Sequence, residues 1–170
     1  MPVDERPFVP TGWAGGTDGA GTLYTLPPTV WSMSPTTQSP PSTVTVVGAG
    51  TMGHGLAVQF ARHGAAVRLV DHRRSNLETA RAGVADAVDL LDAEGRLDAD
   101  PGTVRDRIDY TLDLPAAVAD AALVIESVAE DLDVKATVFE TLAASAPEDA
   151  VLATNTSGIP ITDIGAAVPA

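Results

Sequence analysis

The chain has 170 residues, 45% hydrophobic and 19% charged, which is enough apolar surface for one packed core and too little length for two full domains. Twenty-three acidic residues against ten basic ones give a net charge of −13, which repels a phosphate backbone and excludes nucleic-acid binding as the main function. There is no cysteine, hence no disulfide framework, thiolate metal site or cysteine nucleophile. No run of about 18 apolar residues is present, and Asp4, Glu5 and Arg6 do not follow the basic-then-apolar order of a signal peptide, so a cytoplasmic protein without a membrane partner is expected. Nine of the basic residues are arginine and only Lys135 is lysine, while Asp (16) outnumbers Glu (7). A GC-rich coding sequence and an acidic surface suited to a high-salt cytoplasm both fit that bias.

Residues 1–42 hold 8 Pro, 5 Gly, 7 Thr and 4 Ser without a period of 2 or 3.6, so they read as a disordered tail. The tail carries Trp13 and Trp31, for which a binding peptide is the alternative reading, and Met33 is an alternative translation start. From Thr43 the texture changes. Thr43–Val47 reads as a buried strand, Met52–His63 as a helix closed by Gly64, and Val67–Val70 as a second strand stopped by Asp71. Arg74–Ala93 carries Leu77, Ala80, Val84, Val88 and Leu91 three or four apart, which predicts an amphipathic helix. A weaker stretch through Pro101 and Gly102 leads to a strand at Ile108–Leu112. Ala122–Val128 then reads as an apolar strand, Leu132–Ser145 as a helix, Val151–Thr154 as a strand, and a short helix begins after Pro160. Strand alternating with helix predicts an α/β fold of Rossmann type, a doubly wound and mostly parallel sheet with helices on both faces, over residues 43–170.

The sharpest motif is Gly48-Ala49-Gly50-Thr51-Met52-Gly53, which follows a predicted strand and opens a predicted helix. Gly48 permits the tight turn, Gly50 lets the backbone approach a pyrophosphate, and Gly53 lets the helix pack closely; the helix N-terminus adds free amides and its dipole. Thr51 and Met52 belong to the same cradle. Asp71, 18 residues past Gly53, ends the next strand, where a carboxylate accepts hydrogen bonds from adenosine ribose hydroxyls and repels a 2′-phosphate. The cofactor expected is therefore NAD rather than NADP, with Arg73 and Arg74 flanking the adenine or facing solvent. Flavin sites, nucleotide-sugar dehydrogenases and methyltransferases use similar loops. His54, one residue past the loop, could approach the cofactor; His63 ends the helix; His72 follows Asp71. None stands at metal-ligand spacing, so no metal is expected, and all three also read as structural.

Four segments together resemble a known family: Val44–Gly53 (VTVVGAGTMG), Leu69–Asp71 (LVD), Val124–Lys135 (VIESVAEDLDVK) and Ala153–Ser157 (ATNTS). They are similar, in order and at family-like spacing, to the N-terminal domain of the NAD-dependent L-3-hydroxyacyl-CoA dehydrogenases. The resemblance implies that Glu130 and Lys135 lie at the NAD site, that Asn155 sits on the neighbouring turn, and that Ser157 contacts substrate and cofactor near the reacting carbon. Caps on the adjoining helices are the alternative reading of Glu130 and of the Asn155–Ser157 segment. The family's reaction moves hydride from C3 of a 3-hydroxyacyl thioester to the nicotinamide, so an acyl-CoA is the implied small-molecule partner and a homodimer the implied state of the full-length protein.

Two departures stand out. The second serine of the family's usual pair is Gly158, and positions that carry serine and lysine for CoA in some relatives fall at Ala87 and Glu94. The implied general base, a histidine oriented by a glutamate, is expected about twenty residues after the Asn155–Ser157 segment, beyond Ala170. The expectation is thus the cofactor half of a dehydrogenase. A free-standing dinucleotide-binding module, and a relative acting on another 3-hydroxy compound such as a sugar acid or carnitine, are the alternatives.

Overall fold

In the computed structural model the described residues are 41–167; the expectations placed on the Pro-rich tail, on Trp13 and Trp31, and on Met33 lie outside them. Five strands, β1 (Thr43–Val47), β2 (Ala66–Val70), β3 (Ile108–Thr111), β4 (Leu123–Glu126) and β5 (Val151–Thr154), pair in parallel in the order β3-β2-β1-β4-β5. The helices are α1 (Thr51–Arg62), α2 (Arg74–Ala93), α3 (Pro101–Asp106), α4 (Leu114–Val118), α5 (Leu132–Ser145) and α6 (Ile161–Ala167). The chain runs outward from β1 to β3, then crosses back to β4 on the other side of β1. That reversal opens a crevice between the carboxyl ends of β1 and β4, the place where open α/β sheets receive ligands.

Each strand is read from both faces, which is why β1 is almost wholly apolar. Val44 and Val46 pack with Val58 of α1 and with Val84 and Val88 of α2, while Val47 turns the other way onto Val118, Val124 and Leu142. Thr45 faces the second layer fully buried, and its hydroxyl is satisfied by donating to the Ala117 carbonyl at 2.6 Å. The helix α2 buries Leu77, Ala80, Val84 and Val88, the stripe read from its periodicity.

Four elements match the sequence reading in type but differ at their ends. The helix α1 starts one residue earlier and stops at Arg62, with His63 as its C-cap; β2 gains Ala66; β3 ends at Thr111. The strand expected over Ala122–Val128 contracts to Leu123–Glu126, because the Val128 amide leaves the ladder and donates to the carboxylate of Glu126 at 2.7 Å. Two short helices, α3 and α4, were not expected. Each is capped by an aspartate, Asp100 accepting from the Thr103 amide and Asp113 from the Ala116 amide, with proline in the first turn.

Candidate dinucleotide site

The glycine loop joins β1 to α1 at the crevice. Gly48 has φ +106°, in the left-handed region, and a Cβ there would lie 2.5 Å from the Ser127 carbonyl oxygen, so both conformation and space require glycine. Its amide donates to the Val70 carbonyl at 2.7 Å. At Gly53 a Cβ would stand 1.8 Å from the Gly48 carbonyl oxygen; here glycine lets the helix fold back onto its own loop. Gly50 differs from both. It is the extended N-cap of α1, and a Cβ built on it meets nothing within 4 Å, so its open side faces free space.

No side chain caps α1 and no acidic residue lies in its first turn. The leading amides at Thr51 and Met52 are therefore left for an external acceptor, and both residues are exposed. By contrast α3, α4 and α5 have their first turns closed by Asp100, Asp113 and Asp131.

Asp71 stands at the end of β2 and is buried to 8% exposure. One carboxylate oxygen accepts from the Ala49 amide at 3.0 Å, tying strand end to glycine loop; the other accepts from the Arg73 amide at 2.9 Å and the Asn76 side chain at 3.0 Å. His72, largely exposed, places Nδ1 3.3 Å from the same carboxylate. Together Gly48, Asp71, Arg73, Leu112, Val128 and Val138 border a largely apolar cavity of about 540 Å³. An apolar pocket beside a fixed carboxylate suits a purine ring attached to a ribose. With the bare side of Gly50 and the uncapped α1 adjoining it, the residues present fit an adenine dinucleotide.

A second wall rises from β4, α5 and β5. Glu126, last in β4, is fully buried and accepts from the Lys135 ammonium through both oxygens at 2.8 and 2.9 Å, from the Val128 amide, and from the Thr154 hydroxyl at 2.6 Å. Lys135 has no exposed surface, and its ammonium also lies 3.4 Å from Glu130. It thus sits behind the wall rather than on its surface. Glu130 lies on the loop before α5, and its Oε1 accepts from the Thr156 hydroxyl at 2.6 Å, the Ser157 amide at 3.1 Å and the Gly158 amide at 2.7 Å. The Thr156 hydroxyl and the Gly158 amide foremost hold its carboxyl down at about 2. Asn155 donates its backbone amide to the Glu126 carbonyl at 2.7 Å and its side-chain amide to the Ser127 hydroxyl at 3.3 Å. Ser157 is exposed on the same turn.

The expected residues therefore form two groups on one edge of the sheet. Gly48, Gly50, Thr51, Met52, Gly53 and Asp71 surround the glycine loop, while Glu130, Asn155 and Ser157 stand across the crevice. His54 belongs to neither: its Nδ1 is 3.0 Å from the Gly50 carbonyl and its ring lies against Gly83 of α2. Glu126, like Glu130, follows an apolar strand at its carboxyl end and so reads from the sequence as lying where such sheets bind ligands. Thr154 and the Glu126–Lys135 pairing were missed; the available signal was that a buried carboxylate needs a cation and the chain has one lysine. Among the described residues no group of three His, Asp or Glu side chains is arranged to hold a metal ion, and no helix is long and apolar enough to cross a membrane.

A parallel sheet with a glycine loop at its switch point and a carboxylate at the end of the second strand defines a dinucleotide-binding Rossmann domain. Residues 43–170 match the family described as 3-hydroxyacyl-CoA dehydrogenase, NAD binding domain, and the chain belongs to that family. It is 40% identical over 125 residues to 5-formyl-3-hydroxy-2-methylpyridine 4-carboxylate 5-dehydrogenase of Mesorhizobium japonicum, covering 72% of this chain and 39% of that protein. It is 36% identical over 121 residues to L-carnitine dehydrogenase of Streptomyces griseus, covering 71% and 35%. The crystal structure of 3-hydroxybutyryl-CoA dehydrogenase from Escherichia coli superposes with a TM-score of 0.70 at 38% identity, over 76% of this chain and 27% of that one. The chain spans less than half the length of each.

Proposed function

We propose that the chain is the NAD-holding half of a dehydrogenase that oxidises L-3-hydroxyacyl-CoA to the 3-ketoacyl-CoA, working in the cytoplasm as part of a homodimer. The observation that carries this reading is the convergence of the glycine loop, Asp71 and the Glu130–Ser157 wall on one crevice. The uncapped α1 amides at Thr51 and Met52, with Gly48, Gly50 and Gly53, bind the pyrophosphate; Asp71 orients the adenosine ribose. Glu130 and Asn155 line the nicotinamide end, and Ser157 offers its hydroxyl to the substrate oxygen at C3. Lys135 acts from behind, as counter-ion to the two glutamates. The bound cofactor supplies the hydride acceptor; the family resemblance supports the thioester substrate and the dimer.

A substrate without CoA is the second reading. It is favoured by α2, where Ala87 packs partly buried against the core and Glu94 closes the helix, so neither supplies a cation to a CoA phosphate.

Turnover tests the proposal. The 170-residue polypeptide, whose last histidine is His72, should oxidise 3-hydroxybutyryl-CoA about 10²–10⁴-fold more slowly than a complete dehydrogenase, the factor a general base contributes. Joined to the C-terminal part of a complete relative it should gain NADH production, measured by absorbance, and Ser157→Ala should reduce that rate. Rapid turnover by the 170 residues alone, or a joined enzyme indifferent to Ser157→Ala, would contradict it. Preference for carnitine over the thioester would establish the second reading.

A further inference from the structure

Three donors from one turn, the Thr156 hydroxyl and the Ser157 and Gly158 amides, converge on a single oxygen, Oε1 of Glu130, which belongs to a different loop. The Thr156 hydroxyl also receives the Ile159 amide at 3.1 Å, so the turn is closed on itself and then tied to the glutamate. Behind Oε1 the other oxygen lies 3.4 Å from Lys135, whose ammonium is held by both oxygens of Glu126. Glu126 in turn accepts from Thr154 at the end of β5, so the chain of contacts leaves one side of the 154–158 segment and returns to the other. The Gly158 position belongs to the same device: a Cβ there would stand 3.3 Å from Glu130 Oε1, closer than most such contacts, so glycine permits the short amide bond.

We propose that Glu130 is a positioning residue that latches the Thr156–Gly158 turn to the loop before α5, with the buried Lys135–Glu126 pair as its anchor, and so fixes where Ser157 stands in the crevice. The latch rests on the proposed function only in what Ser157 does; the fastening itself stands on the hydrogen bonds. A single carboxylate oxygen accepting two backbone amides and a hydroxyl sets both position and orientation, since the three donor directions cannot all be kept if the turn rotates. The low value of the Glu130 carboxyl, about 2, agrees with an oxygen saturated by donors.

Amide hydrogen exchange resolved by residue tests the latch, with NADH fluorescence titration run on the same samples. In Glu130→Ala the Ser157 and Gly158 amides should exchange about tenfold faster or more, while the amides of β1 and β4 keep their protection. Glu130→Gln, which retains a carbonyl acceptor, should restore part of the protection. Should Glu130→Ala lose its fold, titration of the Glu130 side chain by carbon NMR in the unmutated chain decides instead: a midpoint near about 2 supports the latch, and one near the ordinary 4.5 overturns it. Unchanged exchange at Ser157 and Gly158 in a folded Glu130→Ala chain also overturns it. Failure of the unmutated chain to bind NADH would count against the cofactor reading alone, because the exchange comparison does not involve the cofactor.

Discussion

Gly50 and Gly53 stand three residues apart and answer to different constraints. Gly53 has a carbonyl where its side chain would be, so its replacement breaks the contact between α1 and its loop, whereas Gly50 has empty space on that side. Gly50→Val should therefore leave the helical circular dichroism and the unfolding midpoint nearly unchanged while abolishing NADH binding, because the added methyls occupy the approach to the α1 amides. Loss of helix signal in that variant would show that the glycine serves the fold instead. Glu130 makes a second prediction at this scale. Its folded-state value of about 2 lies below the ordinary 4.5, so its bonds stabilise the fold fully above 4.5, and that contribution disappears as pH falls from 4.5 toward 2. Between about pH 6 and about pH 3 the urea midpoint of the unmutated chain should fall further than that of Glu130→Gln. Equal falls would mean that the carboxylate is not fastened as described.

At the scale of elements, Glu126 on β4 and Lys135 on α5 are both without exposed surface, and the helix sits on the sheet through them as well as through Leu142. Removing one partner leaves a buried charge. Lys135→Met should cost about 3–5 kcal/mol in urea unfolding, and adding Glu126→Gln to it should recover part of the loss. A cost well under 1 kcal/mol would show that water reaches the pair. The same elements show what the sequence could and could not disclose. The strands β1 and β5 and the helices α2 and α5 were legible to the residue, because long apolar periods and caps agree there. The short helices α3 and α4 escaped because five or six residues hold too few apolar positions to show a period, although aspartate followed closely by proline marked both starts. Glu130, Lys135 and Asn155 were placed at the crevice by resemblance. That Lys135 turns inward depends on α5 lying across the end of β4, a tertiary fact that no local pattern carries.

For the molecule as a whole, a net charge of −13 opposes binding an anionic cofactor, so the proposed site has to offset it locally. Under the proposed function the α1 dipole and its uncapped amides would meet the phosphates at hydrogen-bond range, a distance at which they outweigh a diffuse surface charge screened by salt. Binding should accordingly depend little on added salt. Under the proposed function Asp71 sets the preference between cofactors: its carboxylate is held by the Ala49 and Arg73 amides and by Asn76, an arrangement that opposes its swinging aside for a 2′-phosphate. Fluorescence titration of the purified chain with NADH and NADPH tests the assignment of this crevice to NAD. Saturable binding of NADH and weaker binding of NADPH are expected, and in Asp71→Ala an NADH affinity reduced about tenfold with the gap between the two cofactors narrowed. A folded chain that shows no saturable signal with NADH, or that prefers NADPH, would contradict it.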